Sequence, residues 1–141
     1  MEILTKENKL LRKKSKRVAK IDDTIRNLAA SMFETLYKSQ NGIALAAPQV
    51  GVHKCVIVIS LDGKEKVLIN PEIIFKSDEL EEGEEGCLSI PGEYIQKKRH
   101  KSVTVKYRNL SGHPLLETHT GLMARVLQHE IDHLFGILMD D

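Results

Sequence analysis

The first regular pattern along the chain is a set of apolar positions at helical spacing between residues 24 and 38. These positions recur every three or four residues, and they are Ile25, Leu28, Ala29, Met32 and Leu36. Asp22, Asp23 and Thr24 stand just before them, and each carries a side-chain oxygen that can cap a helix. The pattern predicts an amphipathic helix over about residues 24–38, with its apolar face in the core.

Runs rich in β-branched residues follow and predict strands. The predicted strands cover residues 55–59, 67–69, 73–75 and 102–107. The first of these is apolar throughout, which is typical of a buried strand, and the last alternates as a half-exposed strand does. Pro71 separates the second run from the third, and residues 41–51 are expected to form a loop. Turn signals occur at Asp62-Gly63 and Ser111-Gly112.

A final helix is predicted from His119 or Thr120 to Phe135, with Gly136 in the left-handed position that often ends a helix. The elements together predict an α+β fold: antiparallel or mixed sheets packed around a C-terminal helix. A chain of 141 residues has the length of one domain, so residues 1–141 are expected to form a single domain.

Composition narrows the function classes. The net charge is +1, from 21 basic and 20 acidic residues, which argues against a dedicated nucleic-acid-binding protein. No apolar run reaches the roughly 18 residues of a membrane span, and the N-terminus lacks the apolar region of a signal peptide. We therefore expect a cytoplasmic protein. A basic run in residues 1–20 and an acidic run in residues 78–85 are expected to be solvated surface.

The sharpest chemical signal lies on the final helix, where the sequence reads His129-Glu130-Ile131-Asp132-His133. Residues four apart face the same side of a helix, so both imidazoles can bind one metal ion. Glu130 lies beside the first of them. A metal lowers the pKa of bound water toward about 7, and a neighbouring carboxylate can then shuttle a proton.

A catalytic metal usually has a third protein ligand. The extended zinc-peptidase motif would place a His ten residues after His129, but Met139 stands there, so the third ligand is expected from upstream. Cys87 is the best choice, because Gly86 and Pro91-Gly92 frame a short strand or turn around it. Cys55 opens an apolar run and is expected to be a small buried side chain. The remaining histidines lie near turns or charges and are expected to be exposed or capping residues: His53, His100, His113 and His119.

A third feature is the small-residue stretch from Gly42 to Gly51. It lacks the Lys-Ser/Thr pair of a phosphate-binding loop. Gln49 offers a neutral amide donor that could stabilise a developing oxyanion beside a metal. The stretch could equally be a tight packing turn.

Taken together, Gly42–Gln49, Glu85–Ser89 and Gln128–His133 resemble the three motifs of the peptide deformylase family, in the family's order. The resemblance covers essentially the whole chain. It implies a metal-dependent hydrolase that removes the N-formyl group from the initiator N-formylmethionine of new polypeptides and releases formate. It also implies a role in protein biosynthesis through N-terminal processing, with N-formylmethionyl peptides as the substrate.

The resemblance also implies roles for individual residues. Cys87, His129 and His133 would bind one divalent metal, with Fe(II) as the native ion and Ni, Co or Zn as replacements. Glu130 would be the general acid/base, while Gln49 and the backbone N–H of Leu88 would hold the formyl oxygen. The substrate-binding residues would be Gly42, Ile43, Ala44, Ile90, Arg99, Leu122 and Arg125.

Several of these substrate positions carry a specific expectation. Ile43, Ile90 and Leu122 match walls of the methionine pocket, and Arg99 matches a position that orients the peptide. The family usually has Gly where this chain has Ala44. Arg125 lies four residues before His129 on the same helix face, where the family usually has an apolar pocket residue. Its guanidinium could favour an acidic or carboxylate-bearing substrate at the lip of the pocket, or could extend into solvent.

Two alternatives to a deformylase remain at this point. Ala44 and Arg125 motivate a binding module of the same fold, with a structural metal and negligible turnover. A general zinc endopeptidase is less well supported, since no downstream ligand follows the helix. Many bacterial members contact the ribosome through a C-terminal helix. The present sequence ends at Asp141, so we expect recruitment by that route to be absent.

Overall fold

The computed structural model describes residues 1–141 as seven strands, two α-helices and two short 3-10 helices. In chain order these are the 3-10 helix Lys9–Arg12, α1 Asp23–Lys38, β1 Ala44–Ala46, the 3-10 helix Ala47–Val50, β2 Val56–Leu61, β3 Lys64–Lys76, β4 Leu80–Cys87, β5 Ile90–His100, β6 Ser102–Arg108, β7 Pro114–Thr120 and α2 Gly121–Leu134. Five strands form an antiparallel sheet in the order β1-β2-β3-β6-β7, while β4 and β5 form a separate hairpin. The predicted α+β architecture around a C-terminal helix is confirmed.

Helix α1 begins where its sequence predicts. The Asp22 side chain accepts a hydrogen bond from the backbone N–H of Ile25, which satisfies one of the free amides of the first turn. All five predicted apolar positions are buried, and they pack against one face of β2 and the adjoining strands. This packing, rather than helix propensity alone, holds α1 in place.

Strand β2 explains why the run from Cys55 to Ile59 is apolar throughout. Val56 and Val58 face α1, whereas Ile57 and Ile59 belong to the core on the α2 side of the sheet. Both faces of this strand are therefore covered. The sheet therefore lies between the two helices. Neither helix is long and apolar enough to cross a membrane.

Helix α2 is buried along most of its length, including its polar residues. It follows directly from β7, and Phe135 ends it. Gly136 then takes a φ of 76°, and a Cβ at this position would lie 2.3 Å from the Arg12 carbonyl oxygen. The close approach packs the end of α2 against the N-terminal segment.

The structure corrects the sequence prediction in four places. Residues 67–69 and 73–75 belong to one strand, β3, whose pairing with β6 is irregular around Pro71. The expected loop at 41–51 contains β1 and a 3-10 helix. The sequence predicts neither strand of the β4–β5 hairpin, although the acids of the run 78–85 are exposed as expected, apart from the buried Glu85. Strand β7 was also missed, because only alternate side chains in it are partly buried.

Asn70 fastens the N-terminal segment to the sheet. Its φ is 54°, in the left-handed region that Asn tolerates better than most residues. Its side chain accepts a hydrogen bond from the Val18 backbone N–H at 2.8 Å and donates one to the Val18 carbonyl oxygen at 2.8 Å. The side chain thus acts as a short strand partner for Val18.

We predict that Asn70→Gly lowers the free energy of unfolding by about 1–3 kcal/mol, because both backbone groups of Val18 lose their partner. Glycine accepts the positive φ, so the change tests the side chain and not backbone strain. Urea unfolding measures the effect. Asn27→Ala, on the exposed face of α1, is the control and should change stability by less than about 0.5 kcal/mol. Equal effects for the two variants would refute the tethering role.

Candidate metal centre and active site

Three side chains from two distant parts of the chain meet at one point. Cys87 ends β4, and His129 and His133 lie one turn apart on α2. Their ligand atoms all lie within 4.8 Å of one another, and the Cys87 Sγ is 3.4 Å from the His133 Nε2. The two imidazole rings meet edge to face with centroids 5.1 Å apart. One sulfur and two imidazole nitrogens at this spacing fit a single transition-metal ion.

The orientation of His129 is set by a carboxylate behind it. Its Nδ1–H donates a hydrogen bond to Glu85 Oε1 at 3.0 Å. The proton on Nδ1 leaves the Nε2 lone pair free to bind a cation. Glu85 therefore selects the histidine tautomer that a metal site needs.

Glu85 is itself buried, and two arginines neutralise it. Arg99 donates two hydrogen bonds to its carboxylate at 2.8 Å each, and Arg125 donates a third at 2.7 Å. Burial alone would raise the pKa of Glu85, but the hydrogen bonds from Arg99 and His129 outweigh it and hold the pKa well below 4.5. Glu85 is ionised at neutral pH and carries the negative charge behind His129.

The structure places the two arginines that were expected to bind substrate in this network. Arg99 does not line the cavity, because its guanidinium is buried between Glu85 and Asp132. Arg125 lies beside the cavity, but its guanidinium is used by Glu85 and by the carbonyl oxygens of Glu81 and Lys97. Both guanidinium groups are thus hydrogen-bonded within the protein.

The charges around His129 and His133 favour a cation at this point. Burial lowers the pKa of His129, but Cys87 and Glu85 outweigh it and raise that pKa to about 10. Burial and repulsion from His129 lower the pKa of His133 to about 3, which keeps His133 neutral. Because Cys87 and Glu85 stabilise a positive charge on His129, they would also stabilise a cation that took the place of its Nε2 proton.

Glu130 is the one buried carboxylate here without a strong partner. Its Oε1 has no hydrogen-bond partner, and its Oε2 lies 3.9 Å from the His129 Nε2. Burial raises the pKa of Glu130 to about 7, against the opposing effect of His129. Glu130 also lines the cavity, so it can exchange a proton with a group that enters there near neutral pH.

Gln49 approaches the same point from the opposite wall. It lies in the 3-10 helix after β1 and is almost completely buried. Its Nε2 is 3.6 Å from the Cys87 Sγ and 3.1 Å from the Ser89 Oγ. The amide donor expected from the sequence therefore does lie beside the cysteine.

A cavity of about 420 Å³ opens next to these groups. Of the residues expected to bind substrate, Gly42, Ile43, Ala44, Ile90, Leu122 and Arg125 line it, together with Leu88. The sequence reasoning missed other lining residues, which include Gln40, Asn41, Glu84, Glu93, Tyr94 and Val126. Val126 has a usable signal, since it lies three residues before His129 on the same helix.

The other histidines and the second cysteine take no part in the cluster. His53 contacts the Leu10 carbonyl oxygen, His100 contacts the Ser77 carbonyl oxygen, and His119 contacts Glu117. Cys55 is partly buried and packs against the core on the α2 side. Cys87 was therefore the right choice between the two cysteines for a position beside the histidines.

Comparison with known proteins decides the family. The family model described as polypeptide deformylase matches residues 1–141. The chain belongs to the peptide deformylase family. A peptide deformylase from Pseudothermotoga lettingae is 50% identical over 132 residues, which covers 94% of this chain and 76% of the relative. A relative from Picosynechococcus is also 50% identical and covers 95% of this chain and 74% of its own length.

Solved deformylase structures have the same fold. The enzyme from Thermotoga maritima superposes with a TM-score of 0.96 at 40% identity, over 99% of this chain and 95% of that one. A peptide deformylase from Synechococcus elongatus, in complex with actinonin, also superposes with a TM-score of 0.96. It is 44% identical, and the match covers 99% of this chain and 76% of that one. Peptide deformylases are metallohydrolases that remove the N-formyl group from nascent peptides, and this is the activity of the present chain.

We predict that Glu85→Gln lowers the free energy of unfolding by about 3–5 kcal/mol at pH 7, because two buried arginines lose their counter-charge. Glu84→Gln is the matched control. Glu84 is next to Glu85 in the sequence but is exposed and has no ion pair, so its substitution should barely change the free energy of unfolding. Urea unfolding of both variants gives the comparison.

The same pair tests the sign of the pKa shift. A carboxyl with a lowered pKa stabilises the fold fully above its unfolded value of 4.5 and less as pH falls below it. The difference in free energy of unfolding between wild type and Glu85→Gln should therefore become smaller from pH 6 to pH 3. If this difference instead grew as the pH fell, the ionised state of Glu85 would be contradicted.

Proposed function

We propose that Cys87, His129 and His133 hold one divalent metal ion and that N-formylmethionyl peptides are deformylated in the adjoining cavity. The observation that carries this proposal is the convergence of the three ligand atoms within 4.8 Å beside the buried Glu130. Residues 1–141 would form a single catalytic domain. Nascent chains are the substrate, so we place the protein in the cytoplasm.

The ion is proposed to be Fe(II), with Ni, Co or Zn able to take its place. A thiolate with two imidazoles accepts all of these metals, so the donor set does not choose among them. When bound, the ion supplies a Lewis acid that polarises oxygen ligands and makes water more acidic. The thiolate ligand leaves the site open to oxidation at Cys87.

Glu130 is proposed to be the general acid/base. Its carboxylate takes a proton from the attacking water, holds it at an Oε atom, and passes it to the leaving amine. The pKa of about 7 suits both halves of this transfer near neutral pH. Burial on the cavity wall keeps the proton from exchanging freely with bulk water.

Gln49 and the backbone N–H of Leu88 are proposed to hold the formyl oxygen as negative charge develops on it. Both residues line the cavity. The Gln49 side chain contacts the Cys87 sulfur, and Leu88 follows Cys87 in the sequence. Neutral donors fixed in a buried site stabilise an oxyanion without a reorganisation cost during the reaction.

The methionine side chain is proposed to bind against Ile43, Ile90 and Leu122, with Val126 as a further wall. Gly42 and Ala44 would contact the peptide through the backbone, because β1 pairs on one side only, with β2. Arg99 and Arg125 are proposed to hold Glu85 instead of the peptide.

We predict that Cys87→Ala abolishes stoichiometric metal binding, because it removes the one sulfur of the cluster. Elemental analysis of anaerobically purified protein measures the metal per chain. Cys55→Ala is the matched control and should keep about one ion. Full metal content in Cys87→Ala would exclude this ligand set. Casein cleavage that survived the substitution would instead favour a general endopeptidase.

We predict that Glu130→Gln keeps the metal and lowers kcat by about 10²–10⁴, because the proton carrier is lost while the shape is kept. Formate release from formyl-Met-Ala-Ser, with Fe(II) or Ni(II) under anaerobic conditions, is the assay. Asp132→Asn is the control from the same motif. It faces Arg99 and should retain activity within a few-fold.

Two results would count against this assignment. Unchanged formate release in Glu130→Gln would remove Glu130 from the mechanism. A wild-type protein that binds metal but releases no formate would favour a binding module of the same fold.

A further inference from the structure

The carboxamide of Gln49 is hydrogen-bonded through both its oxygen and its nitrogen. Its Oε1 accepts a hydrogen bond from the Ala46 backbone N–H at 2.9 Å, and its Nε2 donates one to the Ser89 Oγ at 3.1 Å. Gln49 is 1% exposed and Ser89 is fully buried, so water does not compete for these bonds. Ser89 does not line the cavity and so does not reach the substrate.

These two hydrogen bonds determine the directions of the two Nε2 hydrogens. The last torsion of a glutamine is broad and two-fold, so an unrestrained carboxamide can exchange its oxygen and nitrogen ends. The Ala46 N–H selects the oxygen for one end. The Ser89 Oγ then accepts one of the two coplanar hydrogens of Nε2. The other hydrogen points to the Cys87 Sγ, which lies 3.6 Å from Nε2.

The backbone around Ser89 ties both oxyanion donors to a common support. The N–H of Lys6 donates to the Ser89 carbonyl oxygen at 2.8 Å, and the N–H of Leu4 donates to the Gln49 carbonyl oxygen at 2.7 Å. Ser89 directly follows Leu88, the second proposed donor. One short N-terminal segment thus spans the two donor segments and limits their relative movement.

We propose that Ser89 is a positioning residue. By holding one Nε2 hydrogen of Gln49, its hydroxyl keeps the second hydrogen, which points to the Cys87 Sγ in this structure, on the side where the substrate oxygen gains negative charge. The inference rests on the proposed role of Gln49. Loss of an oxyanion donor costs roughly 10²–10³ in kcat. Loosening that donor costs less, so we expect kcat of Ser89→Ala to fall about tenfold, with KM within twofold of wild type.

The experiment compares metal-loaded wild type, Ser89→Ala, Gln49→Leu and the double variant in the formate assay. We expect Gln49→Leu to lower kcat about 100-fold and Ser89→Ala to have no further effect in that background, since its target is gone. Ser15→Ala is the matched control. It is a buried serine whose hydroxyl has no partner, and its removal should leave kcat unchanged.

A readout independent of turnover accompanies the assay. In zinc-loaded, ¹⁵N-labelled protein, the side-chain amide pair of Gln49 is identified by its absence from Gln49→Leu. We expect its protons to exchange with water at least tenfold faster in Ser89→Ala than in wild type, and at the wild-type rate in Ser15→Ala. Unchanged exchange would overturn the positioning role.

The kinetic outcomes separate the two levels of the argument. Wild-type kcat in Gln49→Leu would remove Gln49 from the proposed function, and the inference would fall with it. An impaired Gln49→Leu beside an unimpaired Ser89→Ala would overturn the inference alone. A tenfold loss from Ser89→Ala that persists in the Gln49→Leu background, or a loss of bound metal in Ser89→Ala, would show that Ser89 acts through something other than Gln49.

Discussion

The buried carboxylate of Glu85 is the constraint on which the site depends. It lies on the β4–β5 hairpin, which pairs with no other strand, so the direct contacts between the hairpin and α2 are made by side chains. Arg125 reaches from α2 to Glu85 and to hairpin carbonyl oxygens, and a Cβ on Gly83 would lie 2.9 Å from its guanidinium carbon. Breaking this contact would leave buried charges unpaired, which is strongly unfavourable. Cys87 meets the two histidines because the hairpin is held in this way.

The same carboxylate joins structure to chemistry. It accepts a hydrogen bond from the Nδ1–H of His129, so the carboxylate that docks the hairpin also orients a proposed metal ligand. Glu130, one residue along the helix, has no such partner and keeps a raised pKa. Two neighbouring buried carboxylates thus differ because one faces arginines and the other faces the cavity.

The sequence predicts the parts of the site that are local. Helical spacing alone places His129 and His133 on one face, and the apolar periodicity of α1 is enough to find its core residues. The position of Glu85 is not local. It stands in a run of acids that looks solvated, and nothing in the run distinguishes the one residue that faces inward until β4 pairs with β5. The contacts of Arg99 and Arg125 with Glu85 are not local either, so the sequence does not reveal them.

The chain that follows α2 shows why residue 139 does not join the two histidines of the proposed metal site. Met139 occupies the place of the third histidine in the extended zinc-peptidase pattern, yet it is buried with Leu11, Ile90 and Leu138 in a small core. Cys87 packs against that same core. The segment after the helix therefore turns under the strand that carries the cysteine and supports it. A histidine at this position would place a polar ring in the apolar support of Cys87. Packing beneath the cysteine and metal ligation at residue 139 are thus alternatives, and this fold uses the first.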